Sequence, residues 1–326
     1  MDDLGGTGVR LRQLNLELLR AALRETPQGA AKRTLSRKTG LSQATCGTLL
    51  AQLVENGEAV ELAREESGGG RPALLYGCNR ELAVSALLHR DGESGILTGG
   101  VANTAGEILF RETVGRGEID AETAANVLTG LAERFPRIRA GAVSFPGPVP
   151  GGLAEALQKR LAFPVVADRE MNFAAAGYVE FSAALRCGTV CLVHFPVGRF
   201  PRAGIAVDGR VLRGRSGFAG EVSFLPFGIS REQQAMRLGN RAGLIGQVAE
   251  TVAALTAVLN PLQVALSGRE IDESMRPPLR RLCGKAVPPE QLPELIFRSD
   301  CFEDCLRGMA VAAMGALAPA VRLVER

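Results

Sequence analysis

The most informative part of the chain is residues 34–56, which read TLSRKTGLSQATCGTLLAQLVEN. Thr34 is placed to cap a short first helix, and Gly40 supplies the positive φ angle that a tight turn needs. Leu41 would insert into a core beneath this turn, and Ser42 can cap a second helix by accepting a backbone N–H. The pattern therefore predicts two helices joined by a tight turn.

The second helix of this pair would present two chemically different faces. Its apolar residues recur at helical spacing and mark a buried face: Cys46, Leu49, Leu50 and Leu53. The opposite face begins with small or hydrogen-bonding side chains and no acid: Gln43, Ala44, Thr45 and Thr48. A helix that enters the major groove of DNA needs such a face, because long or acidic side chains would clash with bases or phosphates. A surface helical hairpin with an ordinary polar face would carry the same pattern, so both interpretations stay open.

Positive charge is concentrated near this helix pair. The net charge of the whole chain is only +3. Residues 10–50 contain eight basic residues against two acids, a local excess of +6. Arg37 and Lys38 directly precede the turn, where contacts to DNA phosphates would be needed. The chain has no Trp and two Tyr, which argues against stacking on single-stranded nucleic acid.

A strand–loop–strand pattern follows the helix pair. Residues 58–64 and 73–76 are readable as strands, and the loop 65–72 between them carries three consecutive glycines before Arg71. An arginine on a slim glycine loop suits the narrow minor groove of DNA, where the negative potential is enhanced. The pattern predicts a wing, and a flexible linker that contains an arginine is the alternative.

The composition describes a globular protein with reduced thiols. Hydrophobic residues make up 46% and charged residues 22% of the 326 residues, enough for two or three domains. Seven cysteines, an odd number in apolar contexts, fit free thiols better than a disulfide framework. No uninterrupted apolar run reaches the roughly 18 residues that span a bilayer. The first ten residues, MDDLGGTGVR, lack a signal-peptide pattern, so we expect a cytoplasmic protein without a membrane partner.

From about residue 80 the pattern becomes α/β, because apolar strands alternate with glycine turns and helical segments. Two trios of successive strands are predicted, each followed by helices: residues 83–88, 95–102 and 107–113, and residues 189–195, 204–207 and 210–212. This weak internal repeat is typical of two-lobed folds that bind a ligand in the cleft between the lobes.

Five segments, in this order and spacing, resemble the transcription-factor branch of the ROK family (repressors, open reading frames and kinases): LSRKTGLSQAT, SGGGRPALLY, SFPGPV, DGRVLRGRSGFAGEVSF and LNPLQVALSG. The resemblance implies an N-terminal winged helix–turn–helix, residues 1–79, joined to an actin-like, ribonuclease-H-like sugar-kinase domain. Residues 80–185 would form its first lobe, with the C-terminal helix 306–326 packing back, and residues 186–305 its second lobe.

The chain departs from the family in both turns that hold ATP phosphates. The first turn reads DGESG over residues 91–95, and Glu93 would repel a phosphate there. In the second turn Phe200 and Arg202 fill positions that need glycine, and Pro201 removes an N–H donor. Backbone N–H groups can then no longer surround a phosphate, so we expect neither ATP nor another cofactor to bind.

The family's catalytic and zinc motifs are altered as well. The segment that carries the catalytic Asp reads DREMN over residues 168–172, with Glu170 in its place. Glu170 is either a base that is one methylene too long or an acid favoured by a helix N-terminus, and we assign no catalytic residue. Phe224 replaces the zinc-binding His and residues 227–239 contain no Cys, so we predict no metal site.

These observations lead to one main hypothesis, a DNA-binding regulator, most simply a repressor, of carbohydrate-related genes whose kinase activity is lost. The predicted DNA contacts are Arg37, Lys38, Ser42, Gln43, Ala44, Thr45, Thr48 and Arg71. The expected partners are an operator in double-stranded DNA, a sugar or sugar phosphate near Glu170, Asn172 and Glu221, and further copies in a homodimer or homotetramer. A sugar kinase with an appended DNA-binding module and an interaction protein without DNA binding are the alternatives.

Overall fold

The computed structural model describes residues 4–64, 73–81, 84–103, 105–180 and 182–316. The loop that contains Arg71 lies outside the described residues, and so do residues 317–326 of the predicted C-terminal helix.

The first part of the chain, up to Cys78, forms a unit that we call the head. It contains three helices and three short strands: α1 (Leu4–Arg24), β1 (Ala30–Ala31), α2 (Lys32–Thr39), α3 (Gln43–Glu55), β2 (Ala59–Arg64) and β3 (Leu74–Cys78). The strands pair antiparallel in the order β1-β3-β2. This element order is consistent with a winged helix–turn–helix.

The turn between α2 and α3 has the predicted chemistry, but α2 begins earlier than predicted. Gly40 has φ 71°, and Ser42 Oγ accepts from Thr45 N at 3.1 Å. Thr34 does not cap α2, because the helix starts at Lys32 and its N-cap is Ala31. Ala31 is still paired with β3, so the chain passes directly from strand to helix without a capping side chain.

The core of the head lies between the three helices and the sheet. Its buried residues include Leu16, Leu19, Leu23, Leu35, Cys46, Leu49, Leu50 and Leu53, with Leu41 packed against them. In the first half of α1, Leu11 is 57% and Leu14 38% exposed. The stripe that faces α2, α3 and β3 begins only at Leu16.

The remainder of the chain, which we call the body, contains two five-stranded sheets of the same topology. The first has the order β6-β5-β4-β7-β8 and the second the order β11-β10-β9-β12-β13. In each sheet three antiparallel strands are joined by two parallel strands. The strands are β4 (Val84–Arg90), β5 (Ile96–Asn103), β6 (Ile108–Arg116), β7 (Ile138–Phe145), β8 (Val165–Arg169), β9 (Thr189–His194), β10 (Arg202–Val207), β11 (Arg210–Val211), β12 (Gln263–Ser267) and β13 (Glu294–Arg298).

Seven α-helices in the described part of the body surround these sheets: α4 (Ala121–Arg134), α5 (Leu153–Gln158), α6 (Glu170–Glu180), α7 (Arg231–Leu238), α8 (Arg241–Leu259), α9 (Arg276–Cys283) and α10 (Phe302–Gly315). Helix α6 packs on β9 and β10 of the second sheet, and α10 packs on β4 and β7 of the first. The two helices contact each other directly, so this pair joins the two halves of the body. The exact domain limits stay a prediction.

Among the described residues, α8 has the length and apolar composition of a membrane-spanning helix. Half of its most apolar stretch is buried inside the protein, and Val248, Val252 and Leu255 belong to the core under the second sheet. Its apolar character is therefore accounted for by packing.

Candidate functional sites

The predicted DNA-binding residues of α3 lie on its exposed side. Gln43, Ala44 and Thr48 are exposed, whereas Thr45 is half-buried. Ser42 is exposed but is occupied as the N-cap, where its hydroxyl also lies 2.9 Å from Thr45 Oγ1. No acidic residue lies in the first turn of α3, so its N-terminus faces solvent with only small and amide side chains.

Helix α2 adds positive charge beside this face. Arg37 and Lys38 are exposed in its last turn, as predicted for phosphate contacts. Lys38 Nζ lies 3.4 Å from Glu25 Oε2, which anchors this side chain to the segment after α1. Lys32 and Arg33 are also exposed at the start of α2. They belong to the local excess of basic residues, but no DNA contact was predicted for them.

Glu170 is the first residue of α6 and is buried. Its Oε2 lies 3.5 Å from Arg202 Nη2, and its Oε1 lies 3.8 Å from His89 Nε2. Burial raises the pKa of Glu170 to about 7, although the nearby Arg202 opposes this shift. Glu170 does lie at a helix N-terminus, but the low polarity around it outweighs any stabilisation of its charge by the helix dipole.

The two other predicted ligand contacts are engaged by neighbouring side chains. Glu221 pairs with Arg169, which also donates to Ala219 O. Asn172 Nδ2 donates to Asp168 Oδ1 at 2.6 Å, while Asp168 Oδ2 accepts from Arg213 Nε at 2.8 Å. Arg169 is thus held by Glu221 and Ala219.

The first phosphate turn is closed by its own aspartate. Asp91 Oδ1 accepts from Glu93 N at 3.0 Å, from Ser94 N at 2.5 Å and from Ser94 Oγ at 2.7 Å. Burial would raise the pKa of Asp91, but these hydrogen bonds hold it below its ordinary value. The N–H groups of Glu93 and Ser94 are thus used inside the turn.

The second phosphate turn carries an aromatic ring in a stack of side chains. The Arg231 guanidinium lies 3.7 Å from the centre of the Phe200 ring and 4.6 Å from that of Phe224. A cavity of about 400 Å³ adjoins this turn and is lined by Gly198, Arg199, Phe200, Arg202, Ala235, Leu238 and Gly239. Phe224, which stands at the family's zinc-ligand position, is 60% exposed and contacts Phe218.

The chain's two histidines occupy corresponding positions in the two sheets, a relation that was not predicted from the sequence. His89 ends β4 one residue early and His194 ends β9, the corresponding strands of the two sheets. Each Nδ1 lies 3.0 Å from a serine hydroxyl on the adjacent parallel strand, Ser144 on β7 and Ser267 on β12. The repeated strand trios in the sequence were the feature from which the matching positions of the two histidines could have been predicted.

We call His89, Asp91, Glu93, Glu170, His194 and Arg202 the carboxylate–histidine cluster. His194 Nε2 lies 3.5 Å from Glu93 Oε1. The Arg202 guanidinium packs against Gly92, where a Cβ atom would lie only 2.8 Å from Arg202 Nη2. Burial lowers the pKa of His89 to about 4, and that of His194 is also lowered, again chiefly by burial. Both imidazoles are therefore neutral at physiological pH.

The chain thus combines a head that contains a helix–turn–helix with a body of two sheets of repeated topology. Residues 150–240 match the model of the ROK family. The xylose repressor of Caldicellulosiruptor bescii is 27% identical over 244 residues, which cover 67% of this chain and 59% of the repressor. A putative xylose repressor of Caldicellulosiruptor sp. is 26% identical over 68% of this chain and 60% of its own length. The chain thus spans about three fifths of the length of these relatives.

Solved structures show the same fold. A ROK family transcriptional regulator, a homologue of the E. coli MLC protein, aligns with a TM-score of 0.63 and 18% identity over 91% of this chain and 97% of its own. A ROK hexokinase from Thermus thermophilus aligns with a TM-score of 0.53 and 20% identity over 71% of this chain and 98% of its own. The resemblance to the ROK family and the α/β fold class predicted from the motifs are confirmed by these comparisons.

Proposed function

We propose that this protein is a DNA-binding transcriptional regulator of the ROK type, a repressor of carbohydrate-related genes. The observation that carries the proposal is the exposed, acid-free start of α3 beside the basic last turn of α2. Gln43, Ala44 and Thr48 would face base edges, while Arg37 and Lys38 would hold phosphates. Ser42 and Thr45 would shape the helix start, and Arg71, known from the sequence alone, would enter the minor groove.

The proposal includes the loss of kinase activity. Asp91 uses the N–H groups that a phosphate would need, and Phe200 lies under Arg231 in the second turn. Glu170 has the pKa of a usable base, yet Arg202 and His89 surround it. A base must also reach its substrate with correct geometry, so its pKa alone does not make Glu170 catalytic.

The remaining partners belong to the same proposal. The named relatives are xylose repressors, which supports an operator in double-stranded DNA and a sugar or sugar phosphate as effector. Effector contacts would come from Glu170, Asn172 and Glu221, after the Arg169–Glu221 pair has opened. A homodimer or homotetramer in the cytoplasm would place two heads on successive half-sites of the operator.

The test is selection of an operator from random duplex DNA, followed by binding measurements on variants. Gln43→Ala should lose about 1–3 kcal/mol of binding free energy on the selected sequence and discriminate less at one base pair. Arg37→Ala should weaken all duplexes alike and reduce the salt slope of log K by about 1. Arg210→Ala, which removes an exposed arginine on β11 of the body, is the matched control. Unchanged affinity and sequence preference in Gln43→Ala would reject the assigned face.

The sugar kinase remains the second candidate, because solved structures of ROK kinases share this fold and Glu170 occupies the catalytic position. ADP formation with a panel of hexoses should stay at background in the wild type. Turnover that disappears in Glu170→Gln would replace the proposal by an enzyme. DNA binding that does not fall with salt, or is absent, would favour an interaction protein.

A further inference from the structure

Three side chains near the end of β4 and the start of α6, two of them buried and Asp91 half-buried, form a group with the donors of a metal site. His89, Asp91 and Glu170 each offer one ligand atom, and these atoms lie within 4.8 Å of one another. We propose that these three residues bind a divalent transition-metal ion of the zinc type between the two halves of the body. This site is separate from the position of the family's zinc motif, where Phe224 stands.

A buried ring nitrogen of His89 is available to a metal ion. His89 is 1% exposed, and its Nε2 has no hydrogen-bond partner in the described part of the chain. A buried imidazole nitrogen without a partner is costly in the folded state. Glu170 Oε1, at 3.8 Å, is the nearest charged atom recorded for it. A metal ion bound to both atoms would satisfy them together.

The other ring nitrogen of His89 is held by neighbouring side chains. Its Nδ1 lies 3.0 Å from Ser144 Oγ, and the Cys305 thiol lies 3.6 Å from the same nitrogen. An imidazole that donates its Nδ1–H to the Ser144 hydroxyl keeps the Nε2 lone pair for a ligand. Metal-binding histidines are commonly oriented by such a hydrogen bond on the other ring nitrogen. Ser144 is thus a positioning residue for the site.

The carboxylates of Asp91 and Glu170 are oriented by their neighbours and carry negative charge. Three hydrogen bonds from the turn fix Asp91 Oδ1. In Glu170 the two oxygens face different partners, Oε1 towards His89 and Oε2 towards Arg202. Arg202 therefore leaves one oxygen of Glu170 for the ion. A divalent ion would offset the negative charge of the Asp91 and Glu170 carboxylates.

The donor set selects the class of ion. One imidazole nitrogen and two carboxylate oxygens are ligands of zinc and of other first-row divalent ions, whereas calcium and magnesium prefer oxygen donors alone. Three protein ligands leave a coordination position for water or for an oxygen atom of an effector. The inference does not depend on DNA binding and can be tested without DNA.

The experiment is titration of the chelator-treated full chain with Co²⁺ followed by Zn²⁺. We expect one Co²⁺ per chain, with a visible ligand-field band and without the near-ultraviolet thiolate-to-cobalt charge-transfer band. Zn²⁺ should displace the Co²⁺ and raise the melting temperature. His89→Gln and Glu170→Gln should each weaken binding more than tenfold, and Ser144→Ala roughly 10- to 100-fold as a positioning residue.

Two matched variants distinguish this site from adventitious binding. His194→Gln removes the corresponding histidine of the other sheet, and Cys305→Ala removes the neighbouring thiol. Both should bind Co²⁺ like the wild type. A charge-transfer band, or an equal loss of binding in His194→Gln, would overturn the assigned ligands, and so would wild-type protein that binds no Co²⁺. The melting curve of each variant without metal shows whether it is folded. If His89→Gln does not fold, the test rests on Glu170→Gln, which keeps the size of the side chain.

Discussion

Arg20 and Glu58 form a bidentate ion pair inside the head. Arg20 Nε lies 2.7 Å from Glu58 Oε2, and Arg20 Nη2 lies 2.9 Å from Glu58 Oε1. The pair joins α1 to the residue before β2 and is mostly shielded from solvent, with exposed fractions of 20% and 29%. Burial would raise the pKa of Glu58, but the hydrogen bonds and charge of Arg20 lower it below the ordinary value of 4.5.

This pair predicts a pH-dependent stability of the head. Because the folded-state pKa of Glu58 is lowered, its contribution is fully present above pH 4.5 and is lost as the pH falls through the folded-state pKa. Glu58→Gln should therefore lower the free energy of unfolding by about 1 kcal/mol at neutral pH. Urea titrations at several pH values should show that wild type and variant converge in acid. Glu61→Gln, on the exposed side of β2, is the control, and a difference that persists in acid would contradict the prediction.

Residue-scale chemistry was predictable wherever it depends on local sequence. Gly40 and Ser42 act within a few residues of their own positions, so their roles in the turn could be read directly. The partners of Arg169 and Glu170 could not, because Glu221 and Arg202 come from other parts of the chain. The cap predicted at Thr34 failed because the pairing of β1 with β3 sets where α2 begins.

At the scale of elements, α6 and α10 meet at two glycines. A Cβ atom on Gly308 would lie 1.8 Å from Phe173 O, and one on Gly177 would lie 2.0 Å from Asp304 O. Real Cβ atoms do not approach backbone oxygen so closely, so the helices would have to separate. The sequence did not predict this contact, because neither glycine lies in a turn. Each is required by backbone atoms of the other helix, which lie far away in the sequence.

Substitution at this contact should destabilise the body. Gly308→Ala is expected to lower the free energy of unfolding by about 2–3 kcal/mol, since overpacking displaces backbone. Gly130→Ala, on α4, is the matched control, because a Cβ atom there meets nothing within 4 Å. Alanine favours the helix by up to about 1 kcal/mol over glycine, so this control should be slightly stabilised. Thermal and urea unfolding measure both variants, and equal effects would refute the close packing.

At the scale of the whole molecule, the head is joined to the body through buried charges. Arg24, the last residue of α1, pairs with Glu180, the last residue of α6, and Glu180 also pairs with Arg186. Burial lowers the pKa of Arg24 to about 10. Two arginines thus pair with the same carboxylate where head and body meet.

Removal of this carboxylate should loosen the junction. Glu180→Gln removes the carboxylate that pairs with both arginines and is expected to cost about 3 kcal/mol. Limited proteolysis should then cut between head and body faster than in the wild type. Glu81→Gln, which breaks the exposed pair of Glu81 with Arg137, is the control and should cost at most about 1 kcal/mol. An unchanged cleavage rate in Glu180→Gln would show that the pair does not hold the junction.

The two-lobed body was predictable from its repeated strand trios, because each trio carries its own local pattern. The carboxylate–histidine cluster was not, since it requires the ends of β4 and β9 to approach the start of α6. Two isolated histidines in the sequence give no hint of this proximity without the relation between the two sheets.

Helix α6 begins at Glu170 in the carboxylate–histidine cluster and ends at Glu180 beside Arg24. Eleven residues of α-helix measure about 16 Å. The two ends of this one stiff helix therefore lie in the interior of the body and at the junction with the head. A tilt of α6 as a rigid body would move both of its ends at once, so no chain of side-chain rearrangements is needed between them.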